Sequence, residues 1–100
     1  MEQKGELRRK ARSAVNAPVE IGWTDRQGNE QLVRATVVNI SEDGIRVLLP
    51  EKLTPHTYVI LRAGRLGLHG RASVRNCLKQ GTKYVAGLEF SGGLKWKPQA

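Results

Sequence analysis

The chain lacks the features that define several common protein classes. It has a single cysteine, so no internal disulfide can form, and one cysteine with two histidines is too few for a zinc site. No apolar run approaches the roughly twenty residues of a membrane-spanning helix. A signal peptide is not recognisable either. We therefore expect a protein without metal or cofactor that works in the reducing setting of the cytoplasm.

Acidic residues are also scarce. The 100 residues include 9 Asp and Glu against 17 Lys and Arg, which gives a formal net charge of +8. This charge favours an anionic partner such as a phosphate, a nucleic acid or an acidic membrane. Hydrophobic residues make up 39% of the chain, enough for one small core but not for two. We therefore expect a single domain.

Apolar and polar residues alternate along most of the chain, as is typical of β-strands with one buried face. Alternation marks residues 18–24, 45–49, 70–78 and 84–90. Two further candidate strands are residues 31–40, a run dominated by Val and Thr, and residues 58–61, a short apolar run. Turn-forming residues separate them at short intervals. So many short strands can protect their edges by closing the sheet, which predicts an all-β, six-stranded antiparallel barrel.

Both ends of the chain lie outside this pattern. Residues 1–16 are rich in basic side chains and poor in large apolar ones, so we predict a flexible basic arm that cannot bury enough surface to order itself. The barrel is then expected over residues 17–92 and a C-terminal tail over residues 93–100. Trp96 in this tail either caps one end of the barrel or is disordered.

Two polar clusters are candidates for binding chemistry. The first, Arg8-Arg9-Lys10-Ala11-Arg12, offers guanidinium groups that bind phosphate with two hydrogen bonds, pair with guanine and stack on bases. The second is Asn39-Ile40-Ser41-Glu42-Asp43-Gly44. In an extended chain its Asn39 and Ser41 point to the same face and can read a purine edge, while Gly44 lets a flat ligand approach the backbone. Alternatively, the clusters are a solvated tail and an ordinary polar turn.

Together, Arg8-x-x-x-Arg12 and Asn39-x-Ser41-x-x-Gly44 resemble the two-part signature of the PilZ domain, a bacterial receptor module for cyclic di-GMP in second-messenger signalling. The resemblance covers nearly the whole chain, because residues 17–21 look like the strand after the arginine arm and residues 84–90 like the closing strand. It implies a PilZ-like split barrel of Greek-key type. The outer surface of that barrel would hold the ligand while the arginine arm folds over it.

The resemblance also implies which residues bind the ligand. In the family, the two arginines of the first motif contact guanine and phosphate, and the polar pair of the second motif contacts a guanine. Carried over to this chain, the implied residues are Arg8, Arg12, Asn39, Ser41, Gly44 and Arg46, with Arg9 as a further candidate. Leu7 stands where members that bind an intercalated ligand pair have an arginine, which implies one ligand per site.

An arm that orders on binding behaves as a switch. Ordering about ten mobile residues costs on the order of 10 kcal/mol, whereas each charge-assisted hydrogen bond returns roughly 1.5 to 3 kcal/mol. Several contacts must therefore form together. The expected function is that of an allosteric cyclic di-GMP receptor or adaptor whose arm closes on the ligand and thereby regulates an effector protein.

Two alternative functions remain open. A small basic β-barrel can bind single-stranded nucleic acid by stacking bases on exposed aromatic residues, although Trp23 and Phe90 lie on faces assigned to the core. Residues 64–67 match the GXXG loop of KH domains, but that loop needs flanking helices, and a hairpin turn is the preferred interpretation. The other alternative is a PilZ-type domain that binds no nucleotide and serves only as a protein interaction module.

An enzyme is not expected, because no catalytic constellation is recognisable. His56 and His69 have no evident carboxylate or nucleophile partner, and no GxSxG motif surrounds Ser41. In the alternation of residues 70–78, Cys77 falls on the face expected to be wet, without a basic neighbour that the sequence guarantees. We interpret each of these as a surface residue.

Overall fold

The computed structural model describes residues 12–97, which form a closed antiparallel barrel. Its strands are β1 (Ser13–Thr24), β2 (Glu30–Ile40), β3 (Gly44–Leu49), β4 (Tyr58–Ala63), β5 (Leu68–Gln80) and β6 (Lys83–Phe90). Around the barrel they follow the order β1-β2-β3-β6-β5-β4, and β4 pairs back onto β1. The prediction of an all-β, six-stranded antiparallel barrel is confirmed.

The barrel interior is filled by the apolar face of every strand. Because successive side chains of a strand point to opposite faces, the alternation read from the sequence places the same residues inside. Val19 and Ile21 of β1 and Ala86 and Leu88 of β6 are at most 2% exposed. Residues 50–57 connect β3 with β4, which are not neighbours, and this connection adds the buried Leu53 to the core.

β1 begins earlier than the alternating pattern does. Its first residues pair with the end of β2, Ser13 opposite Ile40 and Ala14 opposite Asn39, before a register shift between Ala14 and Ala17. The shift breaks the period of two, so the sequence pattern starts only at Pro18. The strand thus includes residues that their composition assigned to the arm. Residues 1–11, with Arg8 and Arg9, and residues 98–100 lie outside the described part of the chain.

A second irregularity corrects the prediction for Cys77. The β5–β6 pairing shifts register between Val74 and Asn76, so that Val74 lies opposite Leu88 and Cys77 opposite the buried Ala86. One extra residue in a β-bulge inverts the faces of all residues that follow it. Cys77 therefore packs against the core, and its Sγ accepts a hydrogen bond from the backbone N–H of Leu53 at 3.4 Å. The expectation of a wet face was wrong.

The remaining connections agree with the sequence interpretation. Gly64–Leu66 form one 3-10 turn between the neighbouring strands β4 and β5, and Gly67 follows with a φ of 63°. The GXXG segment is thus a hairpin connection. Trp96 takes the capping role rather than the disordered one: it packs against the core, and its Nε1 donates a hydrogen bond to the carbonyl of Leu66 at 3.1 Å. None of the described residues belongs to a helix long and apolar enough to cross a membrane.

Candidate ligand-binding site

An open cleft of about 440 Å³ lies on the outer surface of the barrel, where β3, β6 and β5 meet the turn after β2. We call it the arginine cleft. Four of the residues that the sequence singled out line it, namely Arg12, Ser41, Gly44 and Arg46. Asn39 instead lines an adjoining groove of about 710 Å³, and the groove and the cleft share Arg46 and Asn76.

Strand pairing brings the two sequence clusters together. Arg12 directly precedes β1, whose first residue Ser13 pairs with Ile40 at the end of β2. This register places the Arg12 guanidinium beside Asn39, and Nη1 of Arg12 donates a hydrogen bond to Asn39 Oδ1 at 2.8 Å. Asn39 in turn lies opposite Arg46 on β3. Arg12 of the first motif therefore lies on the same part of the barrel surface as Asn39 and Arg46.

Ser41 occupies a different position from the one expected of an extended strand. It lies beyond the end of β2 in the turn to β3 and is only 4% exposed. Both its backbone N–H and its hydroxyl donate hydrogen bonds to the carbonyl of Gly44, at 2.8 Å and 3.4 Å. The serine therefore closes the turn and forms part of the cleft floor, instead of standing free beside Asn39.

Gly44 is required by the packing of two strands. It pairs with Glu89 of β6, and a Cβ added at position 44 would lie 2.5 Å from the carbonyl oxygen of Leu88. Real Cβ atoms essentially never come so close, so any side chain here would push β3 away from β6. The sequence analysis attributed this glycine to ligand approach. Strand packing is a sufficient reason by itself, although Gly44 also lines the cleft.

Sequence reasoning missed the far wall of the cleft, which β5 and β6 supply. Arg75 is the extra residue of the β5 bulge, and its guanidinium forms an ion pair with Glu89. The next residue, Asn76, accepts a hydrogen bond from the backbone N–H of Gly87 at 3.2 Å. A Cβ at position 87 would lie 3.2 Å from Asn76 Oδ1, so the glycine leaves room for this side chain. A glycine inside a strand is a known signal of a bulge or of close approach, and Gly87 was that signal.

The cleft is electropositive. Arg12, Arg46 and Arg75 line it together with the carboxylates of Asp43 and Glu89. Each carboxylate already has a cationic partner, because Glu89 pairs with Arg75, and Asp43 accepts a hydrogen bond from Lys95 Nζ at 2.6 Å. This hydrogen bond, together with the charge of Asp43, raises the pKa of Lys95 above its ordinary value. The guanidinium groups of Arg12 and Arg46 therefore add positive charge suited to an anionic ligand.

Aromatic and metal-binding side chains contribute little to this surface. All five aromatic residues lie within residues 12–97, and Tyr58 alone is exposed; it does not line the arginine cleft. Within the same residues, no group of three or more His, Cys, Asp and Glu is placed to hold a metal ion. The side chains available in the cleft are the guanidinium groups, the Asn76 amide, the Ser41 hydroxyl and two carboxylates that already have cationic partners.

Comparison with known proteins identifies a family for this chain. A family model described as PilZ domain matches residues 6–95. The matched range includes both arginine positions of the first motif, the whole of the second motif and all six strands of the barrel. A search of curated protein sequences gave no significant match.

Proposed function

We propose that the chain, which belongs to the PilZ domain family, is a bacterial, cytoplasmic receptor for cyclic di-GMP, the dinucleotide that receptors of this family bind. The ligand would bind in the arginine cleft and the adjoining groove. The observation that carries the proposal is the hydrogen bond of 2.8 Å between Arg12 and Asn39. It joins a residue of the first motif to a residue of the second, although 27 positions separate them in the sequence.

The shape and chemistry of the surface support a ligand with both phosphates and bases. Arg12 and Arg46 offer forked donors that match phosphate oxygens or the O6 and N7 edge of guanine. Asn39 offers an amide for a base edge. In the groove, Leu48 and Val85 are half-buried neighbours on β3 and β6, and they provide an apolar surface on which a purine can lie. Cleft and groove adjoin, so one dinucleotide can contact both.

The proposal makes the basic arm that carries Arg8 and Arg9 the ligand-dependent part of the receptor. Arg8 and Arg9 would add donors from the arm once phosphates and guanines are in place, with one ligand per site because Leu7 replaces a further arginine. Closure of the arm would then change the surface presented to an effector protein. The proposed role is that of a receptor and adaptor and not of an enzyme.

Isothermal titration calorimetry of the full chain with cyclic di-GMP tests this function. We expect saturable binding of one dinucleotide, with GMP, GTP and a short single-stranded oligonucleotide as comparison ligands that bind at least tenfold more weakly. Arg12→Ala and Asn39→Ala should each weaken binding about tenfold or more, because a charge-assisted hydrogen bond is worth roughly 1.5 to 3 kcal/mol. Arg34→Ala is the matched control, since Arg34 is an exposed arginine of β2 outside the cleft.

Two outcomes would contradict the proposal. Absence of heat with cyclic di-GMP, but salt-sensitive binding of the oligonucleotide, would make the arginines a nucleic-acid surface. Absence of binding to either ligand would leave a PilZ-type interaction module. The arm is tested separately by amide hydrogen exchange, where protection at residues 7–13 should rise when the dinucleotide is added; unchanged protection would rule out arm closure.

A further inference from the structure

The outer face of β2, β1 and β4 carries a second open groove, of about 440 Å³. Its ridges are Leu32 on β2 and Ile60 on β4, which both lie opposite Gly22 of the intervening β1. Neighbouring strands are about 4.8 Å apart, so the backbones at Leu32 and Ile60 lie about 10 Å apart with a glycine between them. A Cβ at position 22 would lie 3.7 Å from Leu32 Cδ1, so the Leu32 side chain leans toward this glycine. The result is a shallow notch whose floor has no side chain of its own.

This face holds most of the large hydrophobic residues that are exposed in the described part of the barrel. Among residues 12–97, four large hydrophobic residues are exposed, and three of them are Leu32 (70%), Tyr58 (66%) and Ile60 (47%). Tyr58 precedes Ile60 by two residues on β4 and so shares its face. A cluster of exposed apolar residues with a polar border marks an interaction site more often than single exposed residues do.

Arginines border the apolar residues. In the next row of cross-strand neighbours, Glu20 lies between Arg34 and Arg62, so that one carboxylate faces two guanidinium groups. Its contact with Arg62 is 4.0 Å. A third exposed arginine, Arg71, lies opposite Ile60 on β5. We call these arginines together with Gly22, Leu32, Tyr58 and Ile60 the Leu32–Ile60 surface.

We propose that the Leu32–Ile60 surface docks a segment of a partner protein that carries an apolar side chain flanked by acidic residues. The apolar side chain enters the notch over Gly22 and covers Leu32 and Ile60. The acidic side chains pair with Arg34, Arg62 and Arg71, whose positive charge Glu20 only partly balances. Charge complementarity of this kind guides association and fixes the register of the bound segment.

A protein segment fits this surface better than an anionic membrane does. The groove is concave, whereas a bilayer presents a flat face. Glu20 lies within the arginine row and Glu30 lines the groove. A protein segment can place its acidic side chains at the arginines and away from these two carboxylates, whereas an anionic bilayer meets the arginines and both carboxylates at once. No residue of the surface lines the arginine cleft, so this docking is independent of the proposed binding of the dinucleotide.

Selection from a phage library of random dodecapeptides on the immobilised full chain tests the proposal without dinucleotide. We expect enriched peptides to contain a large apolar residue next to Asp or Glu. Synthetic copies should bind the double variant Leu32→Ser/Ile60→Ser at least tenfold more weakly than the wild type. Leu78→Ser is the matched control, because Leu78 is as exposed (68%) as Leu32 but lies on another face; it should bind within twofold of the wild type.

Further measurements distinguish a loss of peptide binding from a loss of the fold or of dinucleotide binding. Thermal unfolding and titration with cyclic di-GMP check that the double variant keeps its fold and its dinucleotide binding. Enrichment of basic peptides, no enrichment, or equal loss of binding in Leu78→Ser overturns the proposal. Sedimentation with phosphatidylserine vesicles that depends on Leu32 and Ile60, without any selected peptide, would overturn it in favour of a membrane surface. These results do not bear on the dinucleotide, whose binding is scored separately.

Discussion

The barrel has two contrasting outer faces. Around the arginine cleft the sheet is irregular and polar, and around the Leu32–Ile60 surface it is regular and apolar. The described strand pairs contain register shifts at three places, between Ala14 and Ala17, between Val37 and Asn39, and between Val74 and Asn76. These shifts flank one row of cross-strand neighbours: Ala14, Asn39, Arg46, Gly87 and Asn76. The row through Leu32, Gly22 and Ile60 has none nearby.

The contrast shows how one small barrel builds two kinds of surface. An extra residue in a strand re-aims the side chains beside it and interrupts the ladder of hydrogen bonds. The bulges thus turn Asn39 and Asn76 to the outer face, where Asn39 bonds Arg12 and Asn76 covers Gly87. A regular ladder instead lines up side chains at even spacing, which suits a docking surface for an extended segment. The four predictions below, in order of decreasing effect, test this contrast.

The largest effect is expected from a side chain at Gly44. Gly44→Val should lower the free energy of unfolding by about 3 kcal/mol, the upper end of the usual cost of overpacking, because its Cβ would meet the carbonyl oxygen of Leu88 at 2.5 Å. On the regular face, a Cβ at Gly22 meets its neighbours at 3.6 Å or more. Gly22→Ala should therefore change stability by less than about 0.5 kcal/mol. Urea denaturation followed by tryptophan fluorescence measures both; equal stability of the two variants would remove the packing argument.

Removal of the Arg46 guanidinium should separate the two faces functionally. We expect Arg46→Ala to weaken cyclic di-GMP binding about tenfold, the equivalent of about 1.4 kcal/mol, without loss of stability. Arg62→Ala, on the Leu32–Ile60 surface, should leave dinucleotide binding unchanged. Calorimetry of both variants under identical salt conditions is the measurement. If only Arg62→Ala lost affinity for the dinucleotide, the ligand would bind at the Leu32–Ile60 surface and not in the arginine cleft.

The bulge in β5 predicts the reactivity of two adjacent positions. The Cys77 thiol faces the core and should react with a thiol reagent several-fold more slowly in the folded protein than in guanidinium chloride. In the variant Cys77→Ser/Leu78→Cys the thiol occupies a site where Leu78 is 68% exposed, and it should react at nearly the unfolded rate. Colour release from dithiobis-nitrobenzoate gives both rates. The reverse order would mean that the alternation continues through Arg75 without a bulge.

The smallest effect is expected at the hairpin that joins β1 and β2. Asp25 accepts hydrogen bonds from the backbone N–H groups of Asn29 (2.9 Å) and Gln27 (3.0 Å) and from the side chain of Gln31. The hydrogen bond from Asn29 is the main cause that lowers the pKa of Asp25 below its ordinary 3.8, and burial opposes it.

A lowered pKa in the folded state means that the ionised Asp25 stabilises the fold above pH 3.8 and that this stabilisation is lost as the pH falls through the lowered pKa. Wild type should therefore be slightly more stable than Asp25→Asn at pH 7, and the difference should shrink in acid. Thermal unfolding of both proteins between pH 7 and pH 2 checks this. A difference that does not change with pH would show that ionisation of Asp25 is irrelevant to the hairpin.

Much of the fold was predictable because the signal is local. Residues 84–90 became most of β6, since alternation along a strand reflects which face is buried. Residues 31–40 became most of β2, as their Val and Thr residues predicted. Prediction from alternation failed at two places. At Cys77 a bulge shifts the alternation by one residue, and at Ser13 the strand begins before a register shift. The pattern within one strand carries no information on the strands with which it pairs. Apart from Gly87, nothing in the sequence therefore signals the register shifts in the β1–β2 and β5–β6 pairs.

The candidate site was predictable in its residue types but not in its geometry. The two motifs singled out Arg12 and Asn39, the family resemblance added Arg46, and the barrel brings these three together. Ser41 and Gly44 came from the same pattern, but their main contacts are with the turn and with β6. Arg75 and Asn76 come from a strand that the motif does not include, which is why the motif could not find them.

The amino-acid sequence by itself determined the strands, the composition of the core, the positive charge and the pair of motifs, because each depends on residues close together in the chain. Only the tertiary structure decided which strands pair and in which register. Register sets the contact between Arg12 and Asn39, the close approach of Gly44 to β6, the burial of Cys77 and the notch above Gly22. Each is a meeting of residues from different strands, and its energy depends on packing that no single segment can encode.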